Sequence, residues 1–380
     1  MKIAGAWLEA KGTQGLMGAL SLAGHKAFFV GGCVRNALMG VDVADIDIAT
    51  DAHPDITMNI ATAAGFWVVP TGLDHGTVTV VAGGVPHEVT TFRRDVRTDG
   101  RHAVVAFSDT IAEDAARRDF TMNALYAQAD GTVIDPLGGL PDLIACRVRF
   151  VGDPNVRIAE DYLRILRFFR FYAIYGDASQ GIDADGLAAC ADSSAMLDTL
   201  SGERVGAEMR KLLGARDPAP ALAAMDQSGV LAQVLPGATA RLIPILAHFQ
   251  ESRPVSWLCR LAVIGGQDAA HRLRLTRAEA ANLTVICDEL GSPAAPDALG
   301  WRHGPALATD ILLGRAALFE APPPDGWHAD AIRGSQAVFP VAASDLMPEL
   351  QGPALGEKLR SLQDRWLGSG LSLTRDQLLA

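Results

Sequence analysis

Between residues 27 and 92 the apolar side chains come in short runs with a period near two: Ala27–Val30, Asp45–Ala49, Phe66–Val69, Thr77–Val81 and His87–Phe92. Runs this short, bounded by turn signals such as Gly83-Gly84, predict strands. Pro54–Ala64 has helical spacing instead. Arg93–His102 is polar, charged and carries Asp99-Gly100, a pattern that predicts a mobile loop. Beyond about residue 150 the strand signals fade. Ile158–Ile174, Glu203–Leu213, Ala219–Met225, Leu242–Phe249, Arg277–Leu290 and Gly356–Leu367 all suit helices. Thr276-Arg277-Ala278-Glu279 predicts a capping box, and Pro353 a helix start. Asp217-Pro218-Ala219-Pro220 and Pro322-Pro323-Pro324 mark connections between helices. The pattern predicts a mixed α and β head followed by an elongated helical body.

Composition sharpens this picture. A chain of 380 residues with 49% hydrophobic content can bury a large core and should divide into two or more domains. It has no run of eighteen apolar residues and no basic-then-apolar start, so a soluble, cytoplasmic protein without membrane partners is expected. Cys33, Cys146, Cys190, Cys259 and Cys287 are scattered and odd in number, which predicts reduced core thiols and no zinc or disulfide framework. The net charge of −11 argues against an indiscriminate nucleic-acid coat, and no DNA partner is expected. It still allows a local basic track. Arg147, Arg149, Arg157, Arg164, Arg167 and Arg170 outnumber Asp153, Glu160 and Asp161 within one short stretch.

The chemistry concentrates in the head. Asp45 and Asp47, at i and i+2 on a predicted strand, point to one face. Two like charges held so close are costly unless a cation joins them. Their oxygen ligands suit Mg²⁺, which takes one or two carboxylates plus substrate phosphates. Upstream, an apolar strand ends in Gly31-Gly32, where bare backbone amides can approach a phosphate chain, and Arg35 adds a fork of donors. Together these residues read as a metal-dependent nucleotide-handling site.

Gly31-Gly32-Cys33-Val34-Arg35-Asn36-Ala37-Leu38-Met39-Gly40, then Asp45-Ile46-Asp47-Ile48-Ala49-Thr50, resembles the first motif of the class II tRNA nucleotidyltransferase and poly(A) polymerase family. That motif usually has aspartate where this chain has Asn36, so a charge-based role there is lost while a hydrogen-bonding one survives. Arg117-Arg118-Asp119-Phe120-Thr121-Met122-Asn123-Ala124 resembles a second family motif. If it opened a helix, its arginines would suit the triphosphate and Asn123 a ribose or metal-bound water. Asp135-Pro136-Leu137-Gly138-Gly139 resembles the turn closing the head, with a mechanical role, and Ser201–Leu213 resembles a bracing neck motif. Glu88, on a strand that could lie beside the Asp45–Asp47 strand, is part of the family pattern. It reads equally as a third ligand or base and as a solvated strand residue.

The resemblance implies an α+β nucleotidyltransferase head over 1–150, a helical neck over 151–215 and an all-α body and tail over 216–380. It further implies two Mg²⁺ ions on Asp45 and Asp47. Nucleotide contacts would come from Gly31, Gly32, Arg35, Arg117, Arg118, Asp119, Asn123, Asp161, Arg164, Arg167 and Arg170. Glu160-Asp161-Tyr162-Leu163-Arg164 resembles the base-selecting element. On a helix, Asp161 and Arg164 would share a face, as an ordinary ion pair would. Facing a base, an acceptor-only carboxylate and a donor-only guanidinium fit cytosine N4/N3 and adenine N6/N1, and clash with uracil and guanine.

The activity implied is template-independent addition of CMP, CMP and AMP, from CTP and ATP, to the 3′ end of tRNA. A poly(A) polymerase, a CC- or A-adding partial enzyme, and a non-catalytic tRNA-binding protein remain alternatives. Val69–Val78 resembles the CCA-adding pattern more than the basic strand of bacterial poly(A) polymerases.

Overall fold

The computed structural model describes all residues except Asp74, His75, Gly100, Arg101 and Ser252, and the backbone alone over 95–99 and 102–105. Part of the Val69–Val78 pattern and the end of the Arg93–His102 stretch therefore lie outside the described residues. The chain divides into two compact units, Met1–Glu208 with Gln227–Gln233, and Met209–Asp226 with Val234–Ala380.

The first unit is built on a mixed seven-stranded sheet. Its strands are β1 (Ala27–Val30), β2 (Ile46–Thr50), β3 (Trp67–Gly72), β4 (Thr77–Ala82), β5 (Val85–Thr91), β8 (Tyr126–Ala127) and β9 (Val133–Ile134). They lie in the order β3-β4-β5-β2-β1-β8-β9, and only β2 and β5 run parallel. The five predicted strands are all present. Helices α1 (Ala6–Glu9), α2 (Lys11–Leu22), α3 (Gly32–Met39) and α4 (Pro54–Ala63) connect and cover them. Phe29, Val30, Ile48, Ala49, Val78, Val80 and Val89 are buried on the central strands, which are covered on both faces at these positions.

The predicted mobile loop at Arg93–His102 is a β-hairpin, β6 (Arg93–Asp99) paired antiparallel with β7 (His102–Phe107). Reading the polar stretch alone missed its partner: His102-Ala103-Val104-Val105-Ala106-Phe107 is strand-prone, and Asp-Gly is also a hairpin step. Next come α5 (Ile111–Ala116), capped by Thr110, and a 3₁₀ turn at Thr121–Asn123. Arg117–Asn123 thus follows a helix end and does not open one. A helix that begins at its Thr110 cap ends at Ala116, and Asp119 then turns its carboxylate back onto the amide of Phe120.

After α6 (Leu140–Ile144) the unit becomes helical: α7 (Pro154–Glu160), α8 (Leu163–Tyr175), α9 (Ala184–Asp192) and the start of α10 (Gly202–Leu213), whose residues from Met209 on belong to the second unit. The helix expected over Ile158–Ile174 is therefore two helices. Asp161 breaks it with extended backbone (φ −156°, ψ 106°), and its carboxylate accepts from the amide of Leu163 to start α8. This is the local competition for backbone donors that makes aspartate a poor helix interior residue. Phe120, Phe150, Phe168 and Phe171 pack α8 against the 119–121 segment, with Phe120 and Phe171 ring centroids 4.8 Å apart.

In the second unit the Thr276–Glu279 capping box is present, and Pro353 lies in the first turn of a helix over Gly352–Gly368. Its long helix Pro296–Phe319 kinks at Gly304-Pro305. Among the cysteines Cys33, Cys190 and Cys259 are buried and Cys146 half-buried, all unbridged. Cys287 is exposed, which corrects the core assignment for that residue.

Candidate active site

At the start of β2, Ile46 and Ile48 are buried and Asp47 between them is half-buried on the other face. On the neighbouring parallel strand Glu88 stands opposite Asp47 in register, with His87 and Val89 buried on either side. Register partners share a face. Asp45 is exposed immediately before β2. Burial, then Glu88, then Asp45 push the Asp47 carboxyl up to about 6, against the pull of Arg118 and Arg35. Among the described residues no set of three or more His, Cys, Asp or Glu is gathered tightly enough to ligate a metal by itself. The donor set is two aspartates with a third acid nearby. That fits a cation completing its shell from substrate oxygens, and the strained charge on Asp47 is what such a cation would relieve.

Beside the acids, β1 leads into Gly31, whose φ of 69° is open to glycine and which serves as N-cap of α3. A Cβ there would come within 3.3 Å of Arg118 Nη1. Only a glycine lets the turn and this guanidinium meet. Gly32 opens α3, so helix amides and Arg118 converge where an anion would be favoured.

Arg117 and Arg118 are held by a residue that sequence reading missed. Asp114 accepts from Arg117 Nε and Nη2 at 2.9 and 2.8 Å, from Arg118 Nη2 at 2.9 Å and from the Tyr126 hydroxyl at 2.6 Å. Burial would raise the Asp114 carboxyl, but Arg118, Arg117 and Tyr126 together hold it well below the usual range. Its spacing of three and four residues before the two arginines is the signal that could have exposed it. Asp119 is buried and accepts from Arg167 Nε at 2.8 Å and Asn123 Nδ2 at 2.9 Å. Its carboxyl falls to about 2, because those partners outweigh burial.

Arg35, expected among phosphate-contacting groups, is 6% exposed and directs its N–H groups at protein. Nε and Nη2 donate to Asn36 Oδ1 (3.1 and 2.8 Å), Nη1 to Asn123 Oδ1 (2.5 Å) and Nη2 to Tyr175 Oη (2.7 Å). Asn36 therefore keeps the hydrogen-bonding role open to it, accepting from Arg35 and donating to the carbonyl of Asp42 at 3.0 Å.

Asp161 and Arg164 do not pair with each other, which corrects the shared helical face. Asp161 Oδ2 accepts from Arg204 Nη2 at 2.7 Å. Arg164 donates to Glu160, to the carbonyl of Arg157 at 2.7 Å and to that of Arg117 at 3.2 Å. Arg170 is bound to Glu208. The Ser201–Leu213 motif thus supplies Arg204 and Glu208, one partner each for Asp161 and Arg170. All the candidate residues lie in the first unit.

Asp135 accepts from the amides of Gly139 and Leu140 at 2.8 and 2.9 Å, and a Cβ on Gly139 would collide with the carbonyl of Thr121. The expected tight turn is present. A cavity of about 660 Å³ lined by Thr121, Arg149, Asp153, Arg157 and Asp183 lies elsewhere in this unit and includes none of the three acids.

Residues 27–149 match the model of the poly A polymerase head domain, and 181–242 that of a probable RNA and SrmB-binding site of polymerase A. A CCA-adding enzyme of Geobacillus thermodenitrificans is 35% identical over 82% of this chain and 71% of its own length. The human mitochondrial CCA tRNA nucleotidyltransferase 1 is 41% identical over 56% of this chain and 50% of its own. The chain spans about half the length of the first curated relatives it matches. The structure of a Bacillus stearothermophilus CCA-adding enzyme in complex with CTP superposes with a TM-score of 0.77 at 29% identity, covering 94% of this chain and 93% of that one.

Proposed function

The chain belongs to the CCA-adding enzyme family of tRNA nucleotidyltransferases, whose head is shared with poly(A) polymerases, and from that premise we propose that it adds CMP, CMP and AMP to the 3′ end of tRNA from CTP and ATP. The observation that carries the reading is the Asp47–Glu88 register, with Asp45 adjacent, beside a glycine turn and Arg118. Acids and phosphate donors stand side by side, as nucleotidyl transfer requires.

In this reading Asp45 and Asp47 hold Mg²⁺, which when bound neutralises triphosphate charge and acidifies the attacking ribose hydroxyl. Gly31, Gly32 and Arg118 receive the phosphates, and Asp114 keeps Arg117 and Arg118 oriented. Asp119, Asn123 and Arg167 brace the triphosphate side, with Arg170 further along α8. Glu88 stands where it can orient the ribose hydroxyl or accept its proton. Asp161 accepts from N4 of cytosine or N6 of adenine, and Arg164 donates to N3 or N1. Asp161 is directed by Arg204 and the amide of Leu163, and Arg164 by Glu160 and the carbonyls of Arg157 and Arg117; a carboxylate oxygen has a second lone pair to offer. Residues 1–150 then serve as head, 151–215 as neck, and 216–380 as the body and tail that meet tRNA.

Incubation with tRNA lacking its 3′ end, Mg²⁺ and each nucleotide tests this directly. CCA-ended product is expected from CTP plus ATP, and Asp45→Ala should yield none. A-tailing, single-step addition or silence of the wild type would each overturn the proposal.

A further inference from the structure

Arg35 is buried, yet the partners its guanidinium contacts are all neutral: Asn36, Asn123 and Tyr175. They stand on three separate elements, namely α3 itself, the 3₁₀ turn and the last residue of α8. Tyr175 holds the group twice. Its hydroxyl accepts from Nη2 at 2.7 Å, and its ring centroid lies 4.0 Å from the guanidinium carbon, with Phe171 at 5.2 Å. A hydrogen bond fixes the fork in its plane and a stacked ring fixes its tilt, so the joint is stiff in both senses.

The elements joined this way carry the two halves of the candidate site. α3 begins at the Gly31-Gly32 turn, and α8 begins beside Asp161 and Arg164. We infer that Tyr175 is a positioning residue: through Arg35 it locks the end of α8 to α3, and so fixes the spacing between the glycine turn and the Asp161–Arg164 segment. A nucleoside triphosphate must span that distance to use both halves. The inference rests on the reading that phosphates lie at the turn and the base at α8.

The test uses the full chain with Mg²⁺ and calorimetric titration of CTP, ATP and inorganic tripolyphosphate. Tyr175→Phe keeps the ring and removes the acceptor. The loss of one hydrogen bond to a charged group corresponds to a rise of about ten-fold in Kd. That rise is expected equally for CTP and ATP. Tripolyphosphate, which engages the turn alone, should keep its Kd. In an Arg35→Lys background the same change should add less than about two-fold, because the joint is already broken. The inference is overturned if CTP and ATP bind Tyr175→Phe as tightly as wild type. It is also overturned if tripolyphosphate weakens as much as CTP, or if the effects of the two substitutions simply add. Failure of the wild type to bind CTP or ATP at all would instead sink the proposed function, so the two failures are distinguishable.

Discussion

Asp47 is a carboxylate placed where its own charge is disfavoured. Burial, Glu88 and Asp45 raise its pKa to about 6 from an ordinary 3.8. Between those values the folded chain binds more protons than the unfolded one, so this group's contribution to stability is present below about pH 4 and lost as pH rises through 6. Asp47→Asn should therefore stabilise the metal-free protein at neutral pH, by as much as about 3 kcal/mol, and the gain should vanish below about pH 4. Urea melts in EDTA at several pH values measure it. A variant less stable than wild type at neutral pH would show that Asp47 has a structural partner the geometry does not reveal. On the proposed function the same substitution should also abolish transfer, because every step of that reading uses the same acids. Asp114 is the opposite case, a buried acid whose charge is matched by Arg117 and Arg118.

At the level of elements, the break between α7 and α8 gives Asp161 two separable jobs: its Oδ1 caps α8 at Leu163 and its Oδ2 takes Arg204. Asn caps as well as Asp but also presents donors. Asp161→Asn should keep its melting temperature within about 2 °C of wild type while admitting UTP, since the new amide can donate to a uracil carbonyl. Competition between CTP and UTP on tRNA reads this out, and undiminished rejection of UTP would reduce Asp161 to a structural cap. The β6–β7 hairpin is the other element with a prospective role. It lies in sequence between the Glu88 strand and the arginine motif, and we expect it to act as a lever for AMP addition after the two CMP steps. Shortening it should give tRNA ending in CC with near-normal CMP addition. Equal slowing of both nucleotides would make it a general scaffold.

On the scale of the whole molecule, every candidate nucleotide contact falls in one of two compact units, each with its own buried core. Scanning calorimetry should resolve two transitions, and CTP with Mg²⁺ should raise only the one belonging to the unit that contains Asp45. A shift of both would place nucleotide contacts in the second unit as well. Much of this organisation was legible in one dimension. The strands, the glycine turn and the Thr276 capping box all follow from periods and spacings within a few residues, where local sterics and hydrogen bonding decide. The hairpin and the break at Asp161 were also local, but two local preferences competed at each: Arg93–Asp99 found a partner strand in His102–Phe107, and the Asp161 carboxylate took the amide of Leu163 in place of a continuous helix. The joint between Arg35 and Tyr175 spans 140 residues of sequence, and the link from Asp161 to Arg204 spans 43. No pattern along the chain encodes either. Which neutral or charged partner a buried arginine finds depends on how sheet and helices stack, so the chemistry was written in the sequence while its alignment was decided only by the tertiary fold.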